Sequence, residues 1–223
     1  MKNIFSLLIP KDKTGVKSLF PIIIHEYDSF NFKQSEKDLI ECAYEERRKN
    51  PVGEDKSNVG GWQSSLIYYF ARLYNQTFLE RDLTTISGFI RQEVERYFTT
   101  HKVLKEGTGC HIEKMWININ KKGDYNLKHN HEDGSHYSGY LFLKVSKDSG
   151  NIVFESPHAF TRHKLHQCYN SPLCESLKYH TCMVFDAIPG EFFIFPSDLL
   201  HYVEESGSRE DRISISFNVD FVL

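Results

Sequence analysis

Apolar positions along the chain follow two regimes that change near residue 110. Upstream they recur at three and four residues. Ser35-Glu-Lys-Asp38 has the form of a helix N-terminal cap. Leu39, Ile40 and Ala43, followed by Glu45-Glu46-Arg47-Arg48, carry that helix to about Lys49. From Asp82 onward, Leu83, Ile86, Ile90, Val94 and Phe98 trace the single apolar stripe of a second helix. Pro21-Ile-Ile-Ile-His25 reads as a first strand, and residues 51–61 (PVGEDKSNVGG) as a loop.

Downstream the period drops to two. IEKMWININ (112–120), SGYLFLKV (138–145), NIVF (151–154), TCMVFD (181–186), EFFIF (191–195) and RISISFNVDF (212–221) are short runs rich in aromatic and β-branched residues. Turn residues separate them at Lys122-Gly123-Asp124, Asp148-Ser149-Gly150 and Pro189-Gly190. Several short strands joined by turns predict an antiparallel sandwich or barrel. The expected organisation is a single domain, residues 1–223, mainly β with flanking helices. Residues 1–110 form a mostly helical layer and residues 111–223 the β core, and no flexible linker marks the junction.

Composition adds exclusions more than assignments. With 40% hydrophobic and 26% charged residues the chain is an ordinary globular one, which rules out disorder and fibrous architecture. The 27 basic against 30 acidic residues offer no footing for nucleic acid. No apolar run has the length to span a bilayer, and MKNIFSLLIPKDK lacks a small-residue cleavage site. No membrane association is expected. The five cysteines are an odd number and mostly far apart, so they read as reduced thiols in the cytoplasm (of the host cell, if phage-encoded). Histidine changes the picture: of eleven, ten lie from His101 to His201.

Three constellations carry candidate chemistry. His129-Asn130-His131 in an extended segment projects both imidazoles from one face, where they can converge on a transition metal. The same residues among Lys128, Glu132 and Asp133 also suit a solvated loop, and His131-Glu132-Asp133 forms a second His-x-acid pair. In the C-terminal strand, Ile213, Ile215, Phe217, Val219 and Phe221 share one face, and Arg212, Ser214, Ser216, Asn218 and Asp220 the other. Alternation alone reads as a half-exposed strand with a polar outer face. A polar face turned into a barrel would instead set the planar Arg212 fork against a carboxylate, with Ser214 adding a hydroxyl. The third constellation is the turn at Pro189-Gly190, a buried strand, the Phe195-Pro-Ser197 bend and then His201, eleven residues before Arg212.

Taken in order, Gly123-Asp-Tyr-Asn-Leu-Lys-His129-Asn-His131, Ser138-Gly-Tyr-Leu-Phe-Leu, Phe195-Pro-Ser, His201 and Arg212-Ile-Ser-Ile-Ser-Phe-Asn218 resemble the iron(II)/2-oxoglutarate-dependent oxygenases. Within that superfamily the sequence is most similar to the prolyl-hydroxylase-like group of microbial and phage oxygenases. Ser57-Asn-Val-Gly-Gly-Trp-Gln-Ser64 looks like a further segment of that group, so the likeness spans roughly residues 57–221.

The resemblance implies a double-stranded β-helix (a jelly roll, cupin-like) with Fe(2+) as cofactor and 2-oxoglutarate as cosubstrate. It implies hydroxylation of an unidentified substrate coupled to decarboxylation of 2-oxoglutarate to succinate. His129 falls on the first metal ligand, His131 where the acid usually stands, and His201 on the distal ligand. Arg212 falls on the anchor of the cosubstrate's far carboxylate, assisted by Ser214, while Asn118, Tyr125 and Tyr140 are candidates to line the pocket. Two ligand frames are open: His129, His131 and His201, or a shifted frame in which Asp133 is the acid beside His131. A site that has lost its acid and its oxidising activity, and a non-catalytic cupin-type binding module, are the competing readings. Small-molecule partners follow from the resemblance; oligomeric state does not. His158, His163, His166, Cys168, Cys174, His180 and Cys182 contain no Cys-x-x-Cys pair and read as a strand-connecting insertion rather than a zinc site.

Overall fold

The computed structural model describes residues 22–71, 76–78, 84–131, 134–157 and 181–222. In chain order, β1 (His25–Asp28), α1 (Phe32–Lys49), β2 (Asn58–Val59), β3 (Trp62–Gln63), β4 (Tyr68–Ala71), β5 (Gln76–Phe78) and α2 (Thr84–Thr100) precede the long strand β6 (Gly109–Asn120). Then come β7 (Tyr125–His129), β8 (Tyr137–Lys144), β9 (Ile152–Glu155), β10 (Cys182–Phe185), β11 (Glu191–Pro196), β12 (His201–Val203) and β13 (Arg212–Val222).

Among the described residues the strands form two antiparallel sheets. The larger runs β1-β11-β8-β13-β6-β4-β5, with β3 also on β6, and the smaller runs β10-β9-β12-β7-β2. This is a double-stranded β-helix with flanking helices, as the β pattern and the resemblance led us to expect. Among the described residues no helix is long and apolar enough to cross a membrane.

Alternation along the strands decides what each face meets. Ile213, Ile215, Phe217 and Val219 of β13 join Ile117, Ile119, Leu141, Phe192 and Ile194 in a core that includes Leu39 and Ala43 of α1 and Ile86, Ile90 and Val94 of α2. The helices therefore cover the outer face of the larger sheet. A second core of Tyr140, Phe142, Phe154, Phe193 and Phe195 fills part of the space between the sheets. Fully burying a side chain of this size contributes roughly 1.5–3 kcal/mol. Strands β8 and β11 feed both cores from opposite faces, which explains their near-continuous apolar sequences. Gly139 makes that layering possible: a Cβ there would lie 2.6 Å from both the Phe193 carbonyl and the Phe217 ring.

Several boundaries depart from the pattern. The first strand forms at His25–Asp28, beyond the Ile22–Ile24 run, because there it pairs with β11. Helix α1 starts at Phe32, a turn ahead of Ser35. Asn31 takes the cap position without a side-chain cap bond. Tertiary contacts override the local signal: Phe32 is buried, and Glu93 of α2 accepts hydrogen bonds from Ser29 Oγ, the Phe30 N–H and Asn31 Nδ2. Strand β6 begins at Gly109, ahead of the expected Ile112, extended by pairing with the end of β13.

Candidate metal centre

Strands β7 and β12 pair in the smaller sheet with His129 opposite His201. Directly opposed residues carry Cβ atoms about 4.5–5.5 Å apart, so pairing alone brings two imidazoles together. His131 lies two residues past His129, on the same side of the extended chain, and its N–H donates to the Ser197 carbonyl at 2.8 Å. One donor atom from each of the three rings lies within 4.8 Å of the others.

The backbone sets the tautomers. His129 Nδ1 contacts the Leu127 carbonyl at 2.7 Å and His201 Nδ1 the Leu199 carbonyl at 2.8 Å. A carbonyl only accepts, so each Nδ1 carries the proton and each Nε2 keeps a lone pair for a metal. Ser57 Oγ lies 3.4 Å from His129 Nε2 and accepts from Asn126 Nδ2 at 3.2 Å. Burial holds His131 and His201 down at about 3 and lowers His129 as well; the neighbouring imidazoles, and for His131 the Lys114 ammonium, add to the effect because a second charge beside them is disfavoured. All three are neutral near pH 7 and ready to coordinate.

The rings border a cavity of about 760 Å³ between the sheets. The polar side of β13 faces it, with Arg212, Ser214 and Ser216 on the wall, so the strand presents no polar face to solvent here; the helices occupy its other side. Arg212 is only 2% exposed. Its Nη1 donates to the carbonyls of Ser149 (2.8 Å) and Gly150 (3.1 Å). Gly150 has φ +82°, and a Cβ on it would meet the Glu204 carbonyl at 2.4 Å and Arg212 Nη1 at 3.1 Å, so a glycine is needed for the turn to hold the guanidinium. Burial lowers Arg212 to about 10, opposed by Asp124, and leaves it cationic at neutral pH.

Asn118 and Tyr140 line the cavity, Asn118 donating from Nδ2 to Ser216 Oγ at 2.9 Å. Tyr140 Oη is buried without a hydrogen-bond partner. Tyr125 does not line it. It begins β7 opposite Val59, four residues and about 13 Å along the strand from His129. Asp133, and His158, His163, His166, Cys168, Cys174 and His180, lie outside the described residues; Cys182 is exposed on β10.

Other lining residues were not singled out as site residues from the sequence. Trp116 sets its ring 5.6 Å from that of His131, centroid to centroid. Ser57, Gln63 and Ser64 close one side, held to β6 by the Gln63–Asn118 pairing and by the Ser64–Ile117 backbone and side-chain bonds. The available signal was the alternation Lys114, Trp116, Asn118, Asn120 on β6, which puts polar groups on the side that β13 gives to Arg212.

Three neutral imidazoles with converging lone pairs are a fitting donor set for a divalent transition ion. A buried guanidinium and the unpartnered Tyr140 hydroxyl fit a ligand ending in a carboxylate. Fold and site together resemble those of the iron(II)/2-oxoglutarate-dependent oxygenases. Residues 114–218, just under half of the chain, match the family described as "Putative 2OG-Fe(II) oxygenase", a likeness that implies Fe(2+) and 2-oxoglutarate. A comparison with curated protein sequences finds no match.

Solved structures share the fold. A Trichoplax adhaerens prolyl hydroxylase, solved in complex with a hypoxia inducible factor peptide fragment, aligns at TM-score 0.60 and 10% identity over 88% of this chain and 83% of its own. A Pseudomonas putida prolyl-4-hydroxylase gives 0.55 and 11% over 88% and 92%. A viral collagen prolyl hydroxylase from Paramecium Bursaria Chlorella virus-1, in its 2OG complex, gives 0.51 and 13% over 88% and 94%.

Proposed function

We propose that the chain hydroxylates a C–H bond of a small or exposed substrate group, using His129, His131 and His201 to hold iron(II) and Arg212 with Ser214 to hold the far carboxylate of 2-oxoglutarate. The observation that carries this reading is the convergence of three imidazoles at one cavity whose wall also holds a buried, protonated arginine. Iron(II) with 2-oxoglutarate supplies oxidative decarboxylation to succinate and carbon dioxide, and with it the oxidising power for hydroxylation.

The chain's own contribution is positional. The carbonyls of Leu127 and Leu199 keep the lone pairs of His129 and His201 pointed at a common centre. The carbonyls of Ser149 and Gly150 fix Arg212 from behind, leaving the rest of its fork for a carboxylate. Asn118, Ser214 and Tyr140 offer hydrogen bonds along the wall. Phe142, Ile152 and Phe195 exclude water from it. We read residues 1–223 as one oxygenase-like domain, the 1–110 layer buttressing the 111–223 core, since α1, α2 and the larger sheet share an apolar core. A cupin-type binder has no need of Arg212 in this position.

Anaerobic titration of iron(II) with 2-oxoglutarate tests the reading. A visible metal-to-ligand charge-transfer band is expected, followed by succinate formation when oxygen is admitted. A folded, iron-loaded protein without that band overturns it.

A further inference from the structure

This inference rests on the metal and cosubstrate reading above. The β13–β6 ladder is a ruler along the cavity wall. Arg212 stands opposite Asn120, Ser214 opposite Asn118, Ser216 opposite Trp116 and Asn218 opposite Lys114. Asn120, Asn118, Trp116 and Lys114 share one side of β6, and all four line the cavity. Arg212 and Lys114 therefore mark opposite ends of this wall, about 20 Å of strand apart.

The Lys114 end adjoins the candidate metal ligands. Trp116 sets its ring 5.6 Å from that of His131. Lys114 is one cavity-facing step further along β6, roughly 7 Å, and its charge is felt at His131, where it opposes protonation. Leu66 joins the lining here, brought in by the Ile67 N–H, which donates to the Met115 carbonyl at 2.9 Å. Lys56 and Lys128 also reach the cavity, but each meets a carboxylate of this chain, Glu54 and Glu155 respectively. With 2-oxoglutarate at Arg212, the Trp116–Lys114 end is left for the second reactant.

We propose that this end is the substrate pocket and that it selects a molecule carrying an anionic group on a short apolar stem: the stem lies on the Trp116 ring and Leu66, and the Lys114 ammonium meets the anion. The C–H bond to be oxidised belongs to the stem, because Trp116 holds the stem beside His131. A free organic acid and an acidic side chain of a peptide share this chemistry. A cationic substrate is turned away by Lys114.

The test is calorimetric titration of matched probes into the full-length chain loaded with cobalt(II), a redox-stable stand-in for iron(II), and saturating 2-oxoglutarate. Hydrocinnamate, its amide and the corresponding amine share one stem and differ in charge. The acid is expected to bind about 10-fold more tightly than the amide, and the amine most weakly. Lys114→Gln should erase the preference for the acid and Lys114→Arg should keep it. Trp116→Leu should weaken acid and amide alike, by about 3- to 10-fold. End-blocked alanine peptides with one central glutamate or glutamine separate the two sources. A glutamate preference that Lys114→Gln removes assigns the pocket to a peptide side chain, and a preference confined to hydrocinnamate assigns it to a free acid.

Equal affinity for the acid and its amide in the wild-type chain overturns the proposal. So does a preference for the acid that survives Lys114→Gln, because another cation would then hold the anion. Absence of binding by every probe at about 10 mM overturns it as well. If Lys114→Gln does not fold, the acid–amide comparison in the wild-type chain and in Lys114→Arg decides alone. Binding of 2-oxoglutarate without any preference for the acid sinks this inference and spares the oxygenase reading; failure of 2-oxoglutarate to bind the metal-loaded protein sinks both.

Discussion

His129 and His201 face each other directly across the β7–β12 ladder, their ring centroids 4.4 Å apart. Two of the three candidate ligands are thus fixed by strand pairing, while His131 is placed by a single backbone bond to the Ser197 carbonyl. Loss of a partner behind a metal ligand commonly costs 10–100-fold in affinity, so loss of a ligand should cost about 100-fold or more. His129→Ala and His201→Ala are expected to abolish cobalt(II) binding at micromolar protein while the circular dichroism spectrum stays native.

Arg212 is predicted to govern the cosubstrate. Arg212→Gln removes the cation and should weaken 2-oxoglutarate binding about 100-fold, within the 2–5 kcal/mol expected for truncating one side of a buried charge pair. It should also lower the melting temperature, since the Ser149 and Gly150 carbonyls lose their donor. Arg212→Lys keeps the charge without the fork and should fall between. Calorimetric titration alongside thermal melts separates the two effects.

Acid should destabilise the metal-free protein by way of its histidines. His131 and His201 sit near 3 when folded, against an ordinary 6.5. Between those values the unfolded chain binds protons that the folded chain refuses. Stability is therefore full above pH 6.5 and falls as pH drops toward 3. Urea midpoints measured from pH 7.5 to 4.5 should show this decline, and His201→Phe should flatten it.

Glu191 should act in the opposite sense. Burial, then the charge and hydrogen bond of Glu26, raise it to about 7 from an ordinary 4.5. Here the folded state holds the extra proton, so the contribution is full below pH 4.5 and is lost as pH rises through 7. Glu191→Gln is expected to add about 1 kcal/mol at pH 8, a modest figure because solvent screens the exposed Glu26 on edge strand β1, and little at pH 5. Denaturant melts at the two pH values check it.

Gly139→Ala should cost about 1–3 kcal/mol, because the added methyl meets backbone as well as an aromatic ring. Its far-ultraviolet spectrum should remain native while the urea midpoint drops.

The strand-rich half and both long helices were legible because β6, β8, β11 and β13 are long enough to show a period. Strands β7 and β12, at five and three residues, are too short for one, and they are the pair that assembles the histidines. The direction of β13 was also hidden. Helices cover its apolar side and the cavity takes its polar side, so its alternation matches that of a strand with one face in water. Gln63 reaches the cavity through β3–β6 pairing alone, a contact between residues more than fifty apart in the chain that no local pattern announces. The start of α1 followed Phe32 and Glu93, not the nearby capping residues, for the same non-local reason.

The wall built by Ser57, Gln63 and Ser64 lies upstream of the stretch 114–218 that matches the oxygenase family. One wall of the cavity and the candidate metal ligands are therefore written in separate parts of the chain. Exchanging residues 58–66 between relatives, with the Ser57–His129 contact kept, would reshape this wall while the histidines stay in place, so this short stretch is a natural handle for changing which guests the cavity fits.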